Sequence, residues 1–420
     1  MGRMAKPSFL RAMPSTSLGP CRKSLKASPG IGPGLRRVCP SCRLPQRRPF
    51  ASATSPTPPP KPPSSGFAAL PSRHLLSVSG PEAAKFLQGI VTANVCRPDG
   101  SPRTDGFYTA FLNATGRVMH DVFLYPFPSR SGSRDDADRG GFLVEADASQ
   151  MSRLAKYVKR YKLRAKVDVR IMTPDEASVW HVWDDAGHLR LASGADSIVA
   201  RDDRAPGQGY RIVQLNGRRP EVEVEPSSEE AYTVRRYLRG VPEGQDEMLR
   251  EQALPLESNI ELMGGIDFRK GCYVGQELTI RTKHRGVVRK RIVPCMVYES
   301  DKAVPQTLAY EPAVEPTASP ASWTAAMIPA ETSIGRLGKR GRSAGRWLKG
   351  VGNIGLALCR LEIMTDVVLP GEQPAATLSA EDEFELGWGE EEGGAKVKVK
   401  AFVPDWLRQR LKESQHQHDR

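Results

Sequence analysis

Not one aspartate or glutamate precedes Glu82 in this chain of 420 residues. A run of cations with no anions cannot pair its charges internally, and the folded part is expected to open at Leu70-Pro71-Ser72-Arg73. Residues 1–50 carry eleven Lys or Arg among Ser, Ala and Pro, without an apolar run long enough for a secretory signal or a membrane helix. This is transit-peptide composition. Arg48-Pro49-Phe50 followed by Ala51-Ser52 fits the arginine, spacer, aromatic, small-residue pattern at which matrix presequences are cut. The expectation is a mitochondrial matrix protein with a transit peptide over 1–50.

Removing those eleven cations from the formal net charge of +13 leaves +2, and nucleic-acid binding loses its compositional support. The same cut removes Cys21 and the pair Cys39 and Cys42, an isolated C-x-x-C with no second pair to complete a metal site. Cys96, Cys272, Cys295 and Cys359 remain, scattered as in a reducing compartment rather than a disulfide framework. Residues 51–66 are Pro/Ser-rich and read as an extended, unpacked linker. The rest is long enough for two or three packed regions.

The densest chemistry lies between Phe268 and Arg291, FRKGCYVGQELTIRTKHRGVVRKR. Eight Lys or Arg (Arg269, Lys270, Arg281, Lys283, Arg285, Arg289, Lys290, Arg291) face one acid, Glu277. Cations favour the charged form of a nearby thiol, so Cys272 is a candidate reactive thiol or soft metal ligand. The plainer alternative is a buried structural cysteine beside a solvated basic run. Gly271 and Gly275 bracket Cys-Tyr-Val, which suggests a turn with close backbone approach or positive φ. Leu278-Thr279-Ile280-Arg281-Thr282 alternates like a strand, placing the thiol at a loop or helix entrance beside a sheet.

The segment LPLESNIELMGGIDFRKGCYVGQELTIRTKHRGVVRKR resembles the K-G-C-Y-x-G-Q-E signature of YgfZ-type proteins, folate-binding-fold relatives of the glycine-cleavage T protein. It is closest to their mitochondrial branch, the iron-sulfur cluster assembly factors. The resemblance implies an α+β, three-part, aminomethyltransferase-like (GcvT-like) fold around a central cavity, with a C-terminal β-barrel. It also implies a non-catalytic accessory role in maturing [4Fe-4S] proteins of the aconitase and radical-SAM types. Cys272 would be a ligand to a transient iron-sulfur cluster shared with an A-type carrier partner. Lys270 and Arg281 would stabilise its thiolate, Gln276 and Glu277 would order the loop, Gly271 and Gly275 would shape it, and Tyr273 would pack beside it.

The alternative is a tetrahydrofolate-dependent aminomethyl transferase. T proteins read L-N-x-x-G-G-x-x-D-D-L where this chain has LNATGRVMHDVFLY, so Asp121 survives and His120 replaces the other acid. Asp121 is thus a candidate general base, or a carboxylate bonding a neighbouring turn amide. Asn113, Asp121 and Tyr210 are the candidates for a folate cavity. The T-protein pattern T-G-E-x-G-[FY]-E is answered here by Ala205-Pro206-Gly207-Gln208-Gly209-Tyr210-Arg211, with Gly207 and Arg211 in place of its acids, which weakens the transferase reading.

Periodicity predicts a strand at 74–78, a helix opening at Gly80-Pro81-Glu82, and a hairpin over 107–125 with its turn at 114–117. It also predicts a strand at 142–145, a helix over 151–161 and strands at 166–172, 178–183 and 210–215. A helix should begin near Ser227 or Ser228. The family-like α+β region is expected over 67–293. The β-barrel is expected over 294–410, with low-complexity insertions at 299–333 and 378–394, and residues 411–420 read as a disordered tail. Residues 129–141 read as a disordered loop.

Overall fold

The computed structural model describes residues 58–127, 140–312, 324–338, 341–369, 382–389 and 395–416. The transit peptide, most of the 129–141 loop and residues 417–420 lie outside the described residues, and so do parts of both expected insertions.

Three antiparallel β units carry the fold. The first sheet has the order β3-β4-β5-β2-β6. Its strands are β2 (Arg73–Ser79), β3 (Phe107–Leu112), β4 (Val118–Phe127), β5 (Gly141–Asp147) and β6 (Asp168–Ile171). Helices α1 (Ala83–Gln88) and α2 (Met151–Lys162) pack on it through Leu87, Leu154 and Val158. The second sheet has the order β1-β7-β9-β8, from β1 (Ser65–Ala69), β7 (Ala177–Asp184), β8 (Ser197–Arg201) and β9 (Tyr210–Leu215). Helix α3 (Glu229–Arg239) follows, with the Ser228 hydroxyl accepting from Ala231 N and a left-handed Gly240 ending it.

The sequence places a linker over 51–66, but its later residues are packed. Ser65 and Gly66 belong to β1 and pair with Asp184 and Trp183. Pro63 O accepts from Trp183 Nε1 at 3.0 Å, because a proline-rich run with free carbonyls can still satisfy donors of a neighbouring sheet.

A closed six-stranded barrel, β10-β13-β12-β11-β14-β15, completes the chain. It is built from β10 (Lys290–Tyr298), β11 (Ser333–Arg336), β12 (Gly345–Val351), β13 (Ile354–Arg360), β14 (Phe384–Trp388) and β15 (Ala395–Ala401). It therefore starts at Lys290, ahead of the expected boundary at 294. The acidic stretch 378–394 is not simply an insertion, since Phe384 and Leu386 of β14 are buried in the barrel core. Likewise Tyr310, Ala325 and Ile328, within the expected insertion at 299–333, are buried. Among the helices missed are the short α5 (Leu361–Met364) and α6 (Asp405–His416). Leu407 and Leu411 of α6 are buried, so the helix overrides the expected disordered tail up to His416.

The two sheets meet through charges as well as hydrocarbon. Arg73 of β2 donates to Glu145 at 2.9 Å and to Asp121 at 3.3 Å. Arg211 of β9 reaches Glu145 at 3.1 Å and pairs with Glu243, while Arg204 bonds Asp202 and Glu243, each at 2.7 Å. All these groups are buried. Burial alone would raise the Glu243 pKa, but Arg211, Arg204 and Arg73 together hold it well below the usual carboxylate range.

Candidate functional site: an exposed thiol on a pinned loop

The loop from Asp267 to Gly275 is fixed at several points before it enters α4 (Gln276–Arg285). Asp267 N donates to Thr92 O at 3.0 Å, and its carboxylate accepts from Arg269 N at 2.8 Å. Lys270 turns inward, and its ammonium donates to Val91 O at 2.6 Å and Ala93 O at 2.8 Å. It also lies 5.1 Å from the Tyr273 ring centre, and Tyr273 is buried. Burial draws the Lys270 pKa down to about 7. Val274 N donates to Gly89 O at 3.1 Å, and Gln276 Oε1 accepts from Tyr273 N at 3.2 Å.

Gly275 caps α4 with φ +80°, and a Cβ there would lie 2.2 Å from Asn113 O. Only glycine fits that approach. Gly271 differs from expectation: its φ is not in the left-handed region, and an added Cβ would meet nothing within 4 Å. Leu278 to Thr282 is helix rather than strand, and Thr282 Oγ1 donates back to Leu278 O at 2.8 Å. The exposed Glu277 in the first turn suits the positive helix end. Arg281 is exposed one turn further on.

Between these anchors Cys272 is exposed, whereas Cys96 is half-buried and Cys295 and Cys359 are buried. The plainer reading of Cys272 as a buried structural residue fails. The expected ring of cations is thinner than composition suggests. Lys270 is committed to carbonyls, Lys283 donates to Ser414 Oγ at 2.8 Å, and Arg291 is buried against Glu261 at 2.6 Å. Lys270 therefore acts on the thiol loop as a mechanical clamp.

A cavity of about 500 Å³ lies between the first two sheets, α4 and α6, lined among others by Tyr108, Phe123, Arg204, Phe268, Lys283 and Arg410. None of the folate-cavity candidates lines it. The Asn113 side chain accepts from Thr115 N at 3.0 Å and Arg117 N at 2.9 Å, closing the β3–β4 turn. Asp121 is buried and accepts from Gly244 N at 3.1 Å, Gln245 Nε2 at 3.2 Å and Arg73, so its turn-amide reading holds. Tyr210 starts β9 and pairs with Arg201, a lining residue of β8, without lining the cavity itself. Sequence reasoning missed Arg204 and Arg410 at the cavity. An arginine carries no local mark of burial, and only Trp406, Leu407 and Leu411 at helical spacing hinted at the helix that bears Arg410.

Residues 289–409 match the family described as the CAF17 C-terminal β-barrel domain. A protein of Pyricularia oryzae, named as a mitochondrial iron-sulfur cluster assembly factor IBA57 homolog, is 54% identical over 352 residues, spanning 82% of this chain and 86% of its own. The chain belongs to the IBA57 family. A second member, from Neurospora crassa and bearing the same name, is 45% identical over 414 residues, 93% of this chain and 91% of its own. The fold is shared more widely. The glycine cleavage system aminomethyltransferase T of Bartonella henselae superposes with a TM-score of 0.54 at 13% identity, covering 82% of this chain and 87% of that one. Against that shared fold, Arg211 of this IBA57-family chain is a hub of the buried charge network.

Proposed function

We propose that this chain is an accessory factor in mitochondrial iron-sulfur cluster assembly, working in the matrix, in which Cys272 lends one thiolate to a cluster held mainly by a partner. The observation that carries the reading is the exposure of Cys272 on a loop pinned at Thr92, Val91, Ala93, Gly89 and Asn113. Among the described residues no three His, Cys, Asp or Glu come together to hold a metal. Iron-sulfur clusters are held mostly by several thiolates, so a single exposed one suits a cluster in transit between proteins. The names of its relatives point the same way.

The partner class proposed is the A-type carriers of the matrix, and the beneficiaries are [4Fe-4S] enzymes of the aconitase and radical-SAM types. The role proposed is non-catalytic, a reading supported by the engagement of Asp121, the one candidate base, with Arg73, Gly244 and Gln245. Tetrahydrofolate in the cavity would have to be held by the cations and aromatics there, without Asn113, Asp121 or Tyr210. Anaerobic reconstitution with an A-type carrier tests the main proposal through visible absorption. A cluster species is expected with the wild-type chain and not with Cys272→Ser; equal spectra would remove Cys272 as a ligand.

A further inference from the structure

Helix α2 and the turn behind it carry a charge pattern that the thiol site does not use. From Ala148 to Val167 there is no acid, while Arg153, Lys156, Lys159, Arg160, Lys162, Arg164 and Lys166 follow one another. None of the seven forms an ion pair among the described residues, and all but the half-buried Lys162 are exposed. Three cations in the last turn, Lys159, Arg160 and Lys162, complement the helix dipole. Arg153 and Lys156 stand three residues apart on the exposed face, a spacing at which like charges destabilise a helix, and Arg164 and Lys166 continue the run beyond its end.

Leu163 ends this helix, and two of its features are unfavourable for an ordinary solvated surface. It is 88% exposed, the most exposed large apolar residue among those described, and it holds φ +43°. Side chains other than glycine's rarely adopt that conformation. Here it projects an isolated aliphatic group between Lys162 and Arg164. The nearest acids on packed elements are otherwise occupied or few. Glu82 accepts from Lys166 N at 2.6 Å, Asp147 caps the turn before α2, and Asp168 opens β6.

We propose that α2 and this turn are a peripheral docking surface for an anionic phospholipid bilayer, with Leu163 as its apolar anchor. Cations beside an anionic leaflet each raise partitioning roughly fivefold, and an apolar side chain at the headgroup boundary adds to that. An acidic protein or a nucleic acid would use the charge but has no need of a lone leucine held out at a glycine-like backbone angle. The buried face of α2 leads towards the thiol loop. Tyr157 of α2 donates to Leu112 O at 2.7 Å, and the Leu112 side chain abuts Gly275.

Co-flotation of the mature chain with vesicles of phosphatidylcholine, with and without phosphatidylglycerol, tests this. The wild-type chain is expected to float only with the anionic vesicles and to be released by high salt. Leu163→Ser should lower partitioning roughly tenfold at unchanged charge. Leu163→Gly should lower it too while raising the melting temperature, a pairing that a folding defect cannot produce. Failure of the wild-type chain to bind anionic vesicles would overturn the proposal. So would binding that ignores Leu163, which would assign the patch to an acidic macromolecule instead.

Discussion

The carbonyl of Asn113 occupies the space that a side chain at residue 275 would need. A Cβ on Gly275 would lie 2.2 Å from that oxygen, and its φ of +80° is one that other residues rarely take. Gly275→Ala is therefore expected to destabilise the chain by roughly 2 kcal/mol or more, through backbone strain and displacement of the β3–β4 turn. Gly271→Ala, in open space, should be nearly silent. Urea unfolding of the two variants checks the contrast.

Cys272→Ser should leave stability within about 0.5 kcal/mol of wild type, because the thiol is exposed. A loss of cluster-dependent aconitase activity in cells carrying this variant, with normal protein abundance, would then report chemistry rather than folding.

The Lys270 clamp makes stability depend on pH. Its pKa falls from 10.5 to about 7 on folding because burial penalises the ammonium, which corresponds to roughly 5 kcal/mol as an upper bound. The unfolded chain thus binds the proton more tightly. Stability should rise as pH climbs from about 7 towards 10.5 and fall as pH drops back through that window. Lys270→Met should flatten this slope, measured as the denaturation midpoint of both proteins across the range.

Removing Glu243 would leave Arg204 and Arg211 buried with less compensation. Glu243→Gln is expected to cost about 3–5 kcal/mol, the usual penalty for breaking a buried ion pair from one side. Because the folded-state pKa of Glu243 is depressed, its contribution is present above the ordinary carboxylate range and disappears as pH falls below it. Acid unfolding should therefore begin at higher pH in the variant.

Asp121→Asn should act like a packing lesion, losing about 1–3 kcal/mol through the bonds to Arg73, Gly244 and Gln245. Calorimetry checks this. Reconstitution with a carrier should proceed as in wild type at temperatures where the variant is folded.

Much of the thiol loop was legible because its information is local. Glycine spacing marked Gly275, and the cysteine stood among charges. The strand expected at 278–282 failed because Leu278 and Ile280 alternate with Thr279 and Arg281, yet the left-handed Gly275 launches a helix that the β-branched residues tolerate. Strand β14 was hidden because Glu383, Glu385 and the acids after Trp388 dominate the composition around Phe384 and Leu386. The Arg73, Glu145, Arg211, Glu243 network joins positions far apart in sequence. Each residue alone looks like surface, and only the meeting of two sheets makes them core. The three folate candidates lie off the lining of the described cavity for the same reason, since which face of a strand borders a cavity depends on packing between units.

The bond from Lys283 to Ser414 ties the signature helix to the far end of the chain. A polypeptide drawn into an organelle amino end first delivers α6 well after α4. The helix that follows the thiol loop thus stays incompletely supported until α6 has crossed as well, and chains truncated before Ser414 would lack this brace.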